Sequence, residues 1–198
     1  GATINDGTTI TTADNTTQLT LISTDADASV GPALDLYRNS GSPADSDLIG
    51  DVRFQGENDA GETITYANIA GLIGDASDGT EDGILRIQQI NAGSAINRIS
   101  VNTGETVIND SSKDLDFRVE GDGNTHALFV QGGSDFVGIG NDSPNSFGST
   151  AADLVIGTTS GEHGLSIVSG TGNGGRIQFA DNTSSPFRGA FEYNHAAD

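Results

Sequence analysis

Cysteine, methionine and tryptophan are absent from this 198-residue chain, and basic residues are scarce, with 8 Lys plus Arg against 28 Asp plus Glu and a formal net charge of −20. Without cysteine there is neither a disulfide framework nor a thiolate metal site. Without a basic surface to displace counterions, binding of nucleic acid through its phosphates is not expected. An anionic membrane would repel the chain, no apolar run approaches the roughly 18–20 residues of a bilayer span, and no signal peptide is visible. Only 34% of residues are apolar and 6% aromatic, so a thick core is out of reach for one copy. Stability must then come from packing, hydrogen bonds or oligomerisation. The acidity suits a soluble surface in salty or calcium-containing surroundings. With no initiator methionine, the sequence reads as a fragment or a processed product.

What is present is a series of short apolar alternations: "QLTLIS" (18–23), "ALDLYR" (33–38), "DVRFQG" (51–56), "TITYANI" (63–69), "ILRIQQI" (84–90) and "RISV" (98–101). They continue as "LDFRVEG" (115–121), "ALFVQGG" (127–133), "DFVGIG" (135–140), "DLVIG" (153–157), "GLSIVSG" (164–170), "GRIQFAD" (175–181) and "GAFEYN" (189–194). Each has period two, and Gly, Asn, Asp or Ser clusters separate them, which predicts an all-β chain. The 28 glycines penalise any helix interior. The most helix-like stretch, 67–77, carries Gly71 and Gly74 and is expected to be a strand with bulges or a turn.

The series repeats itself. Residues 20–56 align with 153–181: an apolar segment, a polar turn, a second apolar segment, a Ser/Gly-rich loop, then G-D-V-R-F against G-R-I-Q-F. The second copy stops at Asp198, so the native protein is expected to continue in kind. The expected organisation is a leading segment at 1–17, a first module at 18–144 and a truncated second module at 145–198.

Strands this short bury little alone. Three copies wrapped about one axis would turn thin apolar stripes into a shared core and pair otherwise exposed edges; a dimer and a monomeric solenoid are the alternatives. The expectation is an elongated, intertwined homotrimer, built as a triple β-helix or as small trimeric β-sandwich modules. Arg53, Arg86 and Arg118 stand between apolar neighbours, and Arg98 and Arg176 each precede an isoleucine, so period two turns them from the apolar face toward carboxylates. Two readings stand for them, register-setting pairs between strands or chains and solvated surface bridges. In "DFVGIGNDSP" (135–144), Val137 and Ile139 share one face, and the other is pared to Gly138 and Gly140. Either these glycines form a flexible turn, or they admit another strand, such as one from a neighbouring copy, and make 137–140 a trimer-packing element that Pro144 ends.

These residues resemble the repeat modules of tail-fibre and related virion-attached structural proteins, particularly of tailed phages that infect marine bacteria. The resemblance rests on 33–71, on "DLDFRVEGDG…ALFV…VGIGNDSP" and on "GAFEYNH". It implies a homotrimeric extracellular fibre in the virion tail, joined to other tail proteins, whose distal part meets a host cell surface. Neither a receptor-binding tip nor a C-terminal self-cleaving chaperone domain is recognisable here, so a shaft segment is the expected assignment. The alternatives are a bacterial adhesin or filament and a glycan- or receptor-binding fibre domain using loops 39–48 and 75–83; a polysaccharide depolymerase is a remote third.

No enzymatic chemistry is expected. His126, His163 and His195 stand apart without H-x-H or H-E-x-x-H spacing, no G-x-S-x-G elbow occurs, and the sugar platforms of a glycosidase are lacking. "GTGNGGR" (170–176) lacks the G-K-[ST] ending of a phosphate loop and reads as a glycine turn. No cofactor is expected, apart from one weak calcium candidate at Asp75, Asp78 and Asp82 with Gly79 and Gly83; its spacing departs from the twelve-residue loop, and the alternative is a solvated acidic loop.

Overall fold

Alternation over 51–56, 63–69, 84–90 and 98–101 becomes four consecutive antiparallel strands in the computed structural model: β1 (Leu48–Glu57), β2 (Thr63–Asp75), β3 (Asp82–Asn91) and β4 (Ser94–Val101). A three-residue β5 (Thr106–Ile108) completes a sheet of order β1-β2-β3-β4-β5. The structure describes residues 7–147, 153–180 and 189–194. The chain divides into two units, Gly1–Asp110 with this sheet and Ser111–Asp198 with two others.

In the second unit β6 (Phe117–Gly121), β7 (Asn124–Gln131) and β8 (Phe136–Ile139) are antiparallel, and β9 (Leu154–Ile156) lies parallel to β8. A 3-10 turn at Pro144–Phe147 falls between β8 and β9 in the chain, so one sheet holds strands from both sides of residue 144. A separate hairpin pairs β10 (Gly174–Phe179) with β11 (Gly189–Asn194). The fold is all-β, with several antiparallel sheets and no barrel, and no α-helix occurs among the described residues.

Local chemistry sets the turns. Asn58 Oδ1 accepts the N–H groups of Ala60 and Glu62 at 3.0 and 2.8 Å between β1 and β2. Ala92 and Gly93 join β3 to β4 with φ of 47° and 79°, the positive pair that a tight two-residue hairpin turn needs. The 67–77 stretch is strand as far as Asp75; its ladder with β3 slips around Gly74, where a Cβ would lie 3.2 Å from the Asp82 carbonyl oxygen, and its ladder with β1 slips between Gly71 and Leu72. Gly71 pairs with Leu85 in regular register and with Gly50 at the edge of the β1–β2 slip.

Three expected strands carry no ladder: 18–23, 33–38 and 164–170. Alternation gives a segment two distinct faces, but a strand also needs a neighbour for its N–H and C=O groups. No described part of the chain supplies one here. The opposite miss is β5, whose "TVI" is too short to show a period.

The internal repeat has a structural counterpart. A Cβ on Gly50 would lie 3.0 Å from Leu36 Cβ, and a Cβ on Gly175 would lie 3.4 Å from Ile167 Cγ2. The sequence alignment pairs Leu36 with Ile167 and Gly50 with Gly175. In each unit a ladderless segment therefore rests an aliphatic side chain on the glycine that opens the following hairpin.

Ala92 is the one strained point in the β3–β4 turn, since a left-handed backbone costs an ordinary L-residue about 1–2 kcal/mol and asparagine less. Ala92→Asn is expected to stabilise the first unit by about 1 kcal/mol, read as a higher urea midpoint with an unchanged slope. A lower midpoint would contradict this.

Candidate functional site

The register of the first sheet lines up Val52, Ile69, Ile87, Ile99 and Ile108, one from each strand in order. β-branched side chains suit a pleated surface, and strand period two puts all five on one face. The flanking rows on that face are Gly50, Gly71, Leu85, Val101, Thr106 and Phe54, Ala67, Gln89, Ile96. No side chain in the three rows is charged, although 36 of the residues, 8 basic and 28 acidic, carry charge. Four of the five central residues are 39–44% exposed: Val52, Ile69, Ile87 and Ile108.

The opposite face is polar and better covered. Asn68 Nδ2 donates to Gln88 Oε1 at 3.1 Å, Gln88 Nε2 to Asn97 Oδ1 at 2.6 Å, and Asn97 Nδ2 to Asp110 Oδ2 at 3.1 Å. Ala70 and Ser100, 2% and 0% exposed, flank Arg86 in register. Arg86 Nε is buried without a hydrogen-bond partner. A solitary sheet normally packs its apolar face and solvates its polar one; here the order is reversed.

The second unit also leaves an apolar face open. Phe117, Val130, Val137 and Leu154 form one row, and Val119–Leu128 and Ile139–Ile156 continue the same face. Val119, Ile139, Leu154 and Ile156 are exposed. On the other side Phe129 is 4% exposed, its ring meeting His126 edge-on with centroids 5.0 Å apart.

Of the four residues singled out for packing, Val137 and Ile139 therefore present side chains to the open face, and the two glycines serve the chain itself. A Cβ on Gly138 would fall 2.5 Å from the Asn141 carbonyl oxygen, and Gly140 has a φ of 65°. Asn141 is 2% exposed; its Oδ1 accepts Ser143 N–H at 2.8 Å and its Nδ2 donates to Gly157 O at 2.5 Å. That side chain fixes the corner, ties it to the residue after β9, and leads into the buried Pro144. The sequence showed a polar pair there, but only the fold reveals that Asn141 is enclosed.

Four of the arginines find carboxylates within the chain, but no carboxylate pair is seen for Arg86 or Arg98 among the described residues. Arg53 meets Asp51 at 2.8 Å, Arg118 meets Glu120 at 2.7 Å, and Arg176 meets Glu192 across the β10–β11 ladder at 3.1 Å. All three guanidinium groups are about half exposed, where such pairs contribute about 0–1 kcal/mol. Arg38 holds Asp47 at 3.1 Å and donates to Leu48 O at 3.0 Å.

Asp75, Asp78 and Asp82 do not converge, and no group of three metal-ligating side chains occurs among the described residues. Asp75 and Asp82 pair at the ends of β2 and β3. Asp75 Oδ1 accepts Ser77 N–H at 2.8 Å, and its Oδ2 accepts the Thr80 hydroxyl at 3.3 Å. Asp45 Oδ1 accepts Ala76 N–H at 2.9 Å, which brings loop 39–48 against loop 75–83. Between them lies a 440 Å3 cleft floored by Pro43, Ile49 and Leu72 and rimmed by Asp75, Glu81 and Asp82. His126 and His163 bond locally to Thr125, and to Thr158 and Ser160 O, and His195 lies outside the described residues. No family model matches the chain, and no curated protein or solved structure is significantly similar to it.

Two tests follow from this geometry. Asn141→Ala removes a buried partner from both Ser143 N–H and Gly157 O, and is expected to cost the second unit about 1–3 kcal/mol in a urea titration; a change below about 0.5 kcal/mol would mean the corner does not depend on Asn141. Separately, the hydroxyl and N–H of Ser77, followed by the Thr80 hydroxyl, hold the Asp75 carboxyl below its ordinary 3.8. A lowered folded pKa gives stabilisation that is complete above the ordinary value and lost as pH falls through the lowered one. An NMR titration should place the Asp75 midpoint below 3.8, with Ser77 amide protection falling in step; a midpoint at or above 3.8 would refute it.

Proposed function

We propose that this chain is a non-enzymatic structural module of a trimeric extracellular fibre, a shaft segment of the virion-tail kind that its repeats resemble. The observation that carries this reading is the pair of open apolar faces: the first sheet bonds an amide ladder on one side and leaves the uncharged row from Val52 to Ile108 largely exposed on the other, and the second sheet leaves an aliphatic-aromatic face exposed. Taking strand spacing of about 4.8 Å and a rise of about 3.4 Å, the five-stranded face covers roughly 400–500 Å2 and the four-stranded one roughly half that. Together they approach the roughly 800 Å2 that each partner brings to a standard interface. Three copies about one axis bury such faces against one another and keep the 28 acidic side chains outside. The finer architecture in this reading is an intertwined trimer, either triple β-helix or stacked small sandwiches, connected to other tail proteins and, distally, to the host surface.

A second reading, a fibre domain that itself binds a receptor or glycan, is favoured by the cleft between loops 39–48 and 75–83. Binding of the purified protein to host cells, lost on filling the cleft with Gly83→Trp, would favour it over a passive shaft.

The first reading is tested by mass. Light scattering should give three times the 20.2 kDa of the single chain; a monodisperse monomer would overturn it. Ile87→Asp places a charge on an exposed position of the lone chain, at little cost to its fold, but inside the proposed core. That variant should run as a monomer with unchanged far-UV circular dichroism. If it remains trimeric, the five-stranded face is not the interface.

A further inference from the structure

We infer that the ladderless segments 33–38 and 164–170 are strands that complete the open edges of β1 and β10 in a neighbouring copy of the same chain. The inference rests on the self-associating reading above and names the elements that are exchanged.

The segments have every strand property except a partner. Leu34 and Leu36 alternate with Asp35 and Tyr37, and Leu165 and Ile167 with Ser166 and Val168. All but the two polar residues are between 46 and 92% exposed. Residues 33–37 and 164–169 make no backbone–backbone hydrogen bond among the described residues. Leaving such groups unpaired is tolerable only in water, and the apolar side chains oppose staying there.

The matching vacancy lies on the same chain. β1 is an edge strand of ten residues, and β10 has only β11 beside it among the described residues. A long edge with apolar residues templates further strands unless it is covered. The chain's own segment does not cover it: Leu36 rests on Gly50 above the sheet face, and Arg38 reaches Leu48 O through its side chain. Ile167 rests on Gly175 likewise, and a 400 Å3 groove lies between Ile167 and Ser169 on one side and Ile177 and Phe191 on the other.

A second copy is the occupant because the same order recurs in the two aligned repeats: a ladderless segment, 33–38 or 164–170, lies just upstream of an edge strand, β1 or β10. Among the described residues, each of these segments precedes a strand with one open edge. A foreign partner would need only one of the two, whereas head-to-tail copies use both, and a rotation that closes gives a ring. Strand addition of this kind takes its affinity from main-chain hydrogen bonds and its register from alternate side chains, here Leu34 and Leu36.

Hydrogen exchange on the intact protein, assembled and then diluted to the single chain, tests the inference. Amides of 33–38 and 164–170 should exchange about 100-fold or more slowly in the assembly, and at unprotected rates after dilution. Alternate amides of a strand point to opposite sides, so Leu34→Pro and Asp35→Pro sample both. Since these residues carry no ladder within the chain, both variants keep the circular dichroism of the single chain, and at least one should assemble about tenfold or more weakly, as loss of a paired N–H requires. Free exchange of these amides in a wild-type trimer, or two proline variants that assemble normally, overturns the inference and leaves the trimeric reading standing. A wild-type monomer overturns both.

Discussion

Removal of apolar surface from water is the dominant favourable term in folding, and this chain leaves most of that term unused within itself. Among the described residues the buried apolar side chains are Ala70, Leu72, Ile96, Phe129 and Pro144, while Val52, Ile69, Ile87 and Ile108, in register through Ile99, stand open in one row. The amides that could have faced water are instead bonded from Asn68 to Gln88 to Asn97 to Asp110. Once that ladder holds one side of the sheet, strand period two sends the isoleucines to the other. The turns, the bulge at Gly74 and the tight corner at Ala92–Gly93 keep the register that makes the row continuous.

Much of this was legible in the sequence because alternation and punctuation are local signals. Ten of thirteen expected segments lie in strands, and Arg53, Arg118 and Arg176 face carboxylates as period two requires. The row itself was not legible, because it depends on how five strands register, and no local pattern encodes a cross-strand partner. The segments 18–23, 33–38 and 164–170 show the converse: their pattern is right and their neighbour is missing. Asp75, Asp78 and Asp82 looked like a set because they are close in sequence, but a hairpin turn spends the oxygens of Asp75 on Ser77 and Thr80.

The V-G-I-G-N-D-S-P stretch joins two constraints that the sequence alone could not separate. Gly138 lacks a side chain because the Asn141 carbonyl occupies that space, and Gly140 because the backbone turns left-handed there. Asn141 then locks the corner to Gly157. The stretch is a compact way to turn from β8 toward a parallel β9, a role internal to the chain. In the proposed trimer its contribution would be indirect, through holding Val137 and Ile139 on the open face.

Charge explains why association would favour these faces over any other surface. Two copies at −20 repel over the Debye length of about 8 Å at physiological salt, so contact is tolerable only where each presents no charge. At about 25 cal/mol per Å2, a face of roughly 450 Å2 gives about 11 kcal/mol on burial, comparable with the roughly 4–15 kcal/mol lost in joining two molecules. One face is therefore marginal alone. A chain that repeats the device in a second unit, and anchors each hairpin under its own Leu36 or Ile167, adds favourable burial without a second association cost. Length then becomes the means of stability, and a thin apolar composition suffices.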